Sequence, residues 1–229
     1  MTTFFKKIGE NRMDAVQLQK TKLFRGLTDS EIAEALQVLE AHEKRYEKGE
    51  TILNAGSATE RMGLVLDGSV TIESNDAWGN RTIISHVERD QVFAETYALL
   101  ENEPMLVDVT ASEVSRVLFL RSGRIQGLTN SLRPWVLKYI ANLLTISAHK
   151  NLILSGRSFH IAPKTIRGRV MAYLNSVSLQ KNSREFDIPF DRQQLADYLN
   201  LERSALSKEL GKMQRDGLIS CRKNHFTIR

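Results

Sequence analysis

The sequence predicts an α+β fold in three parts: a run of short strands, one long helix, and a compact strand–helix–corner–helix–hairpin unit. Three observations carry this. Between about residues 22 and 121, short apolar runs alternate with Gly, Asn and Asp corners. From about Leu132 to Ser155, apolar residues recur at spacings of three and four. In residues 192–213, "RQQLADYLNLERSALSKELGKM", two short amphipathic segments meet at Asn200-Leu201-Glu202, too short for a loop and wrong for a continuous helix.

The strands are expected in "GETILNAGS", "MGLVLDGSVTI", "RTIISHV", "LVDVTA" and "SRVLFL". "NDAWGN" between two of them signals a hairpin, because Asn and Gly tolerate the positive φ of a tight turn. Many short, closely spaced strands suggest a barrel, roll or sandwich. An acidic amphipathic helix, "SEIAEALQVLE", precedes them, with Ser30 or Asp29 as its expected N-cap.

The long helix opens at Pro134, a residue suited to a first helical turn. Leu137, Ile140, Leu144, Ser147, Asn151 and Leu154 form a heptad a/d seam, and Val136 and Leu143 widen the stripe. Such a stripe can pair two copies of the chain or pack on its own domain; the homodimer seam is the favoured reading.

After it, "APKTIRGRVMAYLNSVSLQ" is a helix and "EFDIPF" a strand, and "GLISCRKNHFTIR" is a hairpin turning at Lys223-Asn224. Together with the opening stretch they make a winged helix-turn-helix. Asp191 and Gln194 form a capping box on its first helix, and small Ala196 lets the two helices cross closely. Asn200 suits the bend, since it accepts a left-handed conformation.

The function classes follow from charge and composition. Of 229 residues with formal net charge +5, positions 161–229 carry 13 Lys and Arg against 7 Asp and Glu, whereas 1–160 carry 19 against 20. The whole positive excess lies in the last third, which suggests a polyanion partner. Arg203, Ser204, Ser207 and Lys208 lie off the apolar face of the second helix and can reach base edges or phosphate; Arg192, Gln193, Lys212, Arg222 and Lys223 complete the expected DNA-binding set. A single cysteine, Cys221, leaves no internal disulfide and no thiolate-rich metal site, and the five histidines are scattered. No catalytic set, metal or cofactor is expected. There is no apolar run of membrane-spanning length and no signal-peptide core, so a cytoplasmic address is expected.

Taken in this order, the chain resembles the cyclic-AMP receptor and fumarate–nitrate regulator (Crp–Fnr) family of bacterial transcription factors. The likeness rests on "LFRGLTDSEI", "KGETILNAGS", "LVLDGSV" and "DRQQLADYLNLERSALSKEL", and runs from about Leu23 to Ile228. It implies a cyclic-nucleotide-binding β-roll (a jelly-roll-like double-stranded β-helix), a dimer helix and a winged helix. It also implies homodimers on inverted-repeat promoter sites, and RNA polymerase as a further partner for an activator. The implied division is 1–21 extension, 22–124 effector-sensing roll, 125–160 dimerisation helix and hinge, and 161–229 DNA-binding domain.

The resemblance breaks at the effector site. The family's phosphate cassette is Gly-rich, with Gly-Glu followed by a short helix and Pro-Arg-Ser. Here the matching stretch is "VERDQVFAETYALLENEPMLVDV": Glu95 keeps the Glu position, Ala94 replaces Gly, and Met105 and Leu106 replace Arg and Ser. A cyclic phosphate would meet two apolar side chains in place of a guanidinium and a hydroxyl. The expectation is a small effector other than cAMP, in a pocket lined by Glu95, Tyr97, Met105, Leu106, Leu144, Leu154 and Ser155. Without N-terminal cysteines the family's iron–sulfur sensing is not expected, and a haem would have only His86 or His149 as axial candidates. Two rival classes stand beside this reading. A metal-dependent dioxygenase would need paired histidines where the roll offers lone His86. The other is a ligand-binding module acting on a protein partner.

Overall fold

The computed structural model describes residues 15–75, 81–100, 102–128 and 133–229. They fall into two compact units that divide between Ala148 and His149.

The first unit opens with helices α1 (Ala15–Gln19) and α2 (Asp29–Val38). The N-cap of α2 is Thr28, not Ser30 or Asp29: its hydroxyl accepts from the Glu31 N–H while Glu31 accepts from the Thr28 N–H. This capping box satisfies two orphan donors at once, which neither other candidate could do. Among the described residues eight strands follow: β1 (His42–Tyr46), β2 (Thr51–Leu53), β3 (Met62–Asp67), β4 (Ser69–Asn75), β5 (Arg81–Glu88), β6 (Val92–Phe93), β7 (Asp108–Ala111) and β8 (Ser115–Leu120). They make two antiparallel sheets, ordered β1-β8-β3-β6 and β2-β7-β4-β5. The expected "NDAWGN" hairpin ends its ladder at Asn75↔Arg81, and its tip lies outside the described residues.

The continuous apolar run of β3 has a physical cause. Met62, Leu64 and Leu66 face one core, with Leu118 and Leu120 of β8; Val65, with Val117 and Phe119, faces another inside the roll. The β1-β8-β3-β6 sheet is therefore covered on both faces, and its central strands lose the polar alternation of a half-solvated sheet. Gly63 is required here, because a Cβ at that position would clash with the buried Phe93 ring.

A 3-10 helix (Ser122–Leu128) leads to α4 (Pro134–Ile161), which starts at Pro134 as expected but runs beyond the predicted Ser155. Trp135, Val136, Tyr139, Leu143 and Ile146 are buried in the first core with Leu18, Phe24 and Ile32. Val136 and Leu143 are thus corrected: they pack on their own unit and do not belong to an outer seam. Ile140 packs partly against the same core. Asn142 donates to Leu23 O (3.0 Å) and Arg25 O (2.8 Å), and Lys138 pairs with Glu31 at 2.8 Å, fixing which face turns inward. Leu18 is fully buried, so the stretch expected as an extension contributes to this core.

The second unit contains the end of α4, then α5 (Ile166–Lys181), β9 (Glu185–Asp187), α6 (Arg192–Tyr198), α7 (Arg203–Arg215), β10 (Ile219–Arg222) and β11 (His225–Ile228). The last strands form an antiparallel sheet, β10-β11-β9. Val170, Leu174, Phe186, Leu195, Ala196, Leu206, Leu210, Met213 and Phe226 close one core.

Candidate nucleic-acid interface and effector cassette

The helix-turn-helix is built as its sequence requires. Asp191 caps α6 in a box with Gln194, both bonds at 2.8 Å. Asn200 takes φ 52° at the corner, the left-handed conformation an asparagine tolerates. Leu206, Leu210 and Met213 bury one face of α7, so Arg203, Ser204, Ser207 and Lys208 are left together on the exposed face. Ser204 donates to Glu202, whose carboxylate sits just before the first turn of α7. There it complements the helix dipole and can accept from a cytosine amino group. The sequence reading passed over Glu202; an acidic residue directly before the second helix was the available signal.

The supporting residues divide. Gln193 is exposed and donates to Asp197 at 2.8 Å. Lys212 is exposed, 3.9 Å from Glu209. Arg192 is half-buried: it donates to Lys223 O at 3.2 Å and lies over the Phe226 ring at 5.7 Å, so it is engaged in supporting the wing. The wing turns at Lys223, φ 55°, with Arg222 paired to His225, and both Arg222 and Lys223 are exposed. His225 stands between Asp187 (2.9 Å) and Glu185 (3.1 Å) of β9, and these two carboxylates raise its pKa.

Behind α7, Arg167 of α5 pairs with Glu209 (2.8 Å) and Asp216 (2.7 Å). His160 shares a 2.9 Å hydrogen bond with the Tyr198 hydroxyl, and burial pushes its imidazole pKa down. Two further arginines reach the corner backbone. Arg157 donates to Asp197 O and Tyr198 O, and Arg169 donates to Leu199 O and Asn200 O.

In the first unit, α3 (Glu95–Leu99) follows Ala94, whose φ of 59° is the backbone a glycine would supply. Glu95 is buried and Tyr97 half-buried. Met105 is only 2% exposed and packs inside the roll with Phe93, Val109 and Phe119. Its N–H donates to Ser57 O (2.9 Å), and the Leu106 N–H donates to the Tyr97 hydroxyl (3.2 Å). Leu106 is 75% exposed and Leu144 69% exposed. Within one chain, Met105 thus lies inside the roll while Leu106 and Leu144 face solvent. Leu154 and Ser155 belong to the second unit. Among the described residues, no group of three His, Cys, Asp or Glu could hold a metal ion. None of the described helices is long and apolar enough to cross a membrane.

The family model of the cyclic nucleotide-binding domain matches residues 43–131, and that of the Crp-like helix-turn-helix domain matches 168–229. The chain belongs to the Crp–Fnr family of transcription regulators. It is thus a DNA-binding regulator and not an enzyme. This Crp–Fnr chain is 21% identical over 208 residues to the fumarate and nitrate reduction regulatory protein of Vibrio cholerae, covering 88% of the chain and 80% of the relative. It is 20% identical over 191 residues to electron transport regulator A of Shewanella oneidensis, covering 81% and 74%. In fold it is similar to the c-di-GMP responsive global regulator CLP of Xanthomonas campestris, with a TM-score of 0.60 and 18% identity over 88% of this chain and 99% of that one. DNR from Pseudomonas aeruginosa gives 0.50 and 18%, over 96% and 95%.

Proposed function

We propose that this regulator acts as a homodimer on an inverted-repeat promoter site, and that its roll does not answer to cAMP through the family's cassette. A different small effector, in or near the roll, is the signal in this reading, and RNA polymerase is the further partner if the outcome is activation. The regulator works in the cytoplasm.

The observation that carries the effector reading is the cassette itself. A cyclic phosphate needs a cation and free N–H donors. Met105 stands in the Arg position and fills the interior, while the N–H groups of Met105 and Leu106 already donate to Ser57 and Tyr97. Burying a phosphate there would leave its charge unpaired and break two hydrogen bonds, a cost of several kcal/mol by usual penalties, about 1–3 per unsatisfied group and more for a charge. The dimer reading is supported by exposed Leu137 and Leu144, a heptad apart on α4.

Two measurements test it together. Selection of duplexes from a random pool should return an inverted repeat with half-sites about 34–36 Å apart. Calorimetry with millimolar cAMP should show no heat beyond dilution. Saturable micromolar binding of cAMP would overturn the effector reading, and selection of a single asymmetric half-site would overturn the dimer.

A further inference from the structure

We infer that Arg157 and Arg169 are positioning residues for DNA recognition: two guanidiniums, one from α4 and one from α5, grip the backbone of the helix-turn-helix corner and so set the attitude of α7. The inference rests on the reading of α7 as the helix that enters the groove.

A helix leaves its last four carbonyls without intrahelical partners, and α6 has only seven residues. The corner closes two bonds of its own, Asn200 N–H to Asp197 O (3.2 Å) and Leu201 N–H to Ala196 O (2.9 Å), and takes further donors from outside. Arg157 reaches it from α4, its Nε donating to Tyr198 O at 3.1 Å and an Nη to Asp197 O at 3.2 Å. The same guanidinium lies over the Tyr198 ring, 5.6 Å from the centroid, while His160 one turn on binds the hydroxyl of that ring. Arg169 reaches the corner from α5. Its Nη1 donates to Leu199 O (3.2 Å) and Asn200 O (3.0 Å), and its Nε to Pro163 O (2.9 Å) in the α4–α5 connection.

Four consecutive carbonyls, 197 to 200, thus accept from side chains outside the helix-turn-helix. Positive charge at a helix C-terminus is favourable in itself. The forked geometry matters more: the Arg157 fork holds the Tyr198 and Asp197 carbonyls in fixed relation, and the Arg169 fork ties the corner, through Nη1, to Pro163 O, through Nε, a rigid spacing an ammonium does not supply. Only Leu201 and Glu202 separate this corner from Arg203, and Glu202 makes no side-chain cap to α7. Leu206, Leu210 and Met213 anchor the body of α7 in the core, and the corner sets the angle at which its first turn emerges.

The test uses the full chain, the best duplex selected by the wild-type protein and a scrambled duplex of equal length, over a salt series. Arg157→Lys and Arg169→Lys keep the charge and lose the fork. Each is expected to weaken the selected duplex by about five- to tenfold per half-site, the scale of one misaligned base contact. Affinity for the scrambled duplex and its salt slope should stay as in the wild type, because phosphate neutralisation is unchanged. Amide exchange at Leu199, Asn200 and Leu201 should quicken with the rest of the unit unaffected, which reads the corner even if a variant melts earlier. An unchanged ratio between the duplexes, equal losses on both, or wild-type protection at the corner would each overturn the inference. Arg203→Ala in the same assay shows separately whether the reading of α7 stands: if it lowers the ratio while the Lys variants do not, only the positioning role falls.

Discussion

Ala94 shows how a single residue can keep a family's backbone while giving up its chemistry. Its φ of 59° costs a residue with a Cβ about 1 kcal/mol or more, which glycine would avoid. Ala94→Gly should therefore raise the stability of the first unit by about 0.5–1 kcal/mol, seen as a higher thermal midpoint, without creating cAMP binding while Met105 remains. A lower midpoint would mean that the Ala94 methyl, which packs in the roll core, outweighs the strain. His225 is the second residue whose behaviour follows from its neighbours. Asp187 and Glu185 favour its protonated form and lift its pKa above the ordinary 6.5. The stabilisation of the wing is complete below pH 6.5 and is lost as pH rises through the raised folded value. Titration of the His225 ring by NMR should give a midpoint above 6.5, returning toward it in Asp187→Asn. A midpoint already at the ordinary value in the wild type would dissolve the clamp.

At the scale of elements, α7 and the wing have separable jobs. Arg203 opens α7 on its exposed face, and its planar fork can engage guanine O6 and N7 together. Arg203→Ala should cost about 1–3 kcal/mol per half-site on the selected operator and relax preference at one base pair. Arg222→Ala or Lys223→Ala should weaken all sequences alike and flatten the salt dependence, as phosphate contacts do. A gel-shift salt series on selected and scrambled duplexes separates the two, and equal loss on both for Arg203→Ala would make its role electrostatic. The helix-turn-helix was legible because its signals are local: a capping box, an Asn at a left-handed corner, and a period of three to four. Other elements were not. β1, "HEKRY", is polar along most of its length and is held by its ladder to β8, a pairing partner about seventy positions away in sequence. Its strand character comes from that partner and not from its own pattern.

For the whole molecule, the two faces of α4 carry opposite expectations. Leu144 is 69% exposed and Leu143 4% exposed, one position apart. Leu144→Asp should leave the first unit folded yet, in the dimer, bury an unpaired charge twice, at about 3–5 kcal/mol each. Light scattering should then report a monomer with an unchanged melt of the unit. Leu143→Asp should instead unfold the unit itself. A Leu144→Asp protein that stays dimeric would move the interface elsewhere.

The sequence by itself determined the order of strands, long helix and winged unit, the location of the positive charge, the polar face of α7, and the loss of Arg, Ser and Gly from the cassette. All of these reside in residue identity or in spacings of a few positions. Tertiary structure decided the rest. It divided the apolar stripe of α4, sending Val136 and Leu143 into the first core and leaving Leu137 and Leu144 outside, because a periodic stripe is wider than either partner needs. It placed Met105 inside the roll and Leu106 outside, although both are apolar neighbours in the chain. It also brought Arg157 and Arg169 to the same corner from two different helices. Those contacts join positions some thirty to forty residues apart, and no local pattern encodes which distant carbonyl a guanidinium will meet.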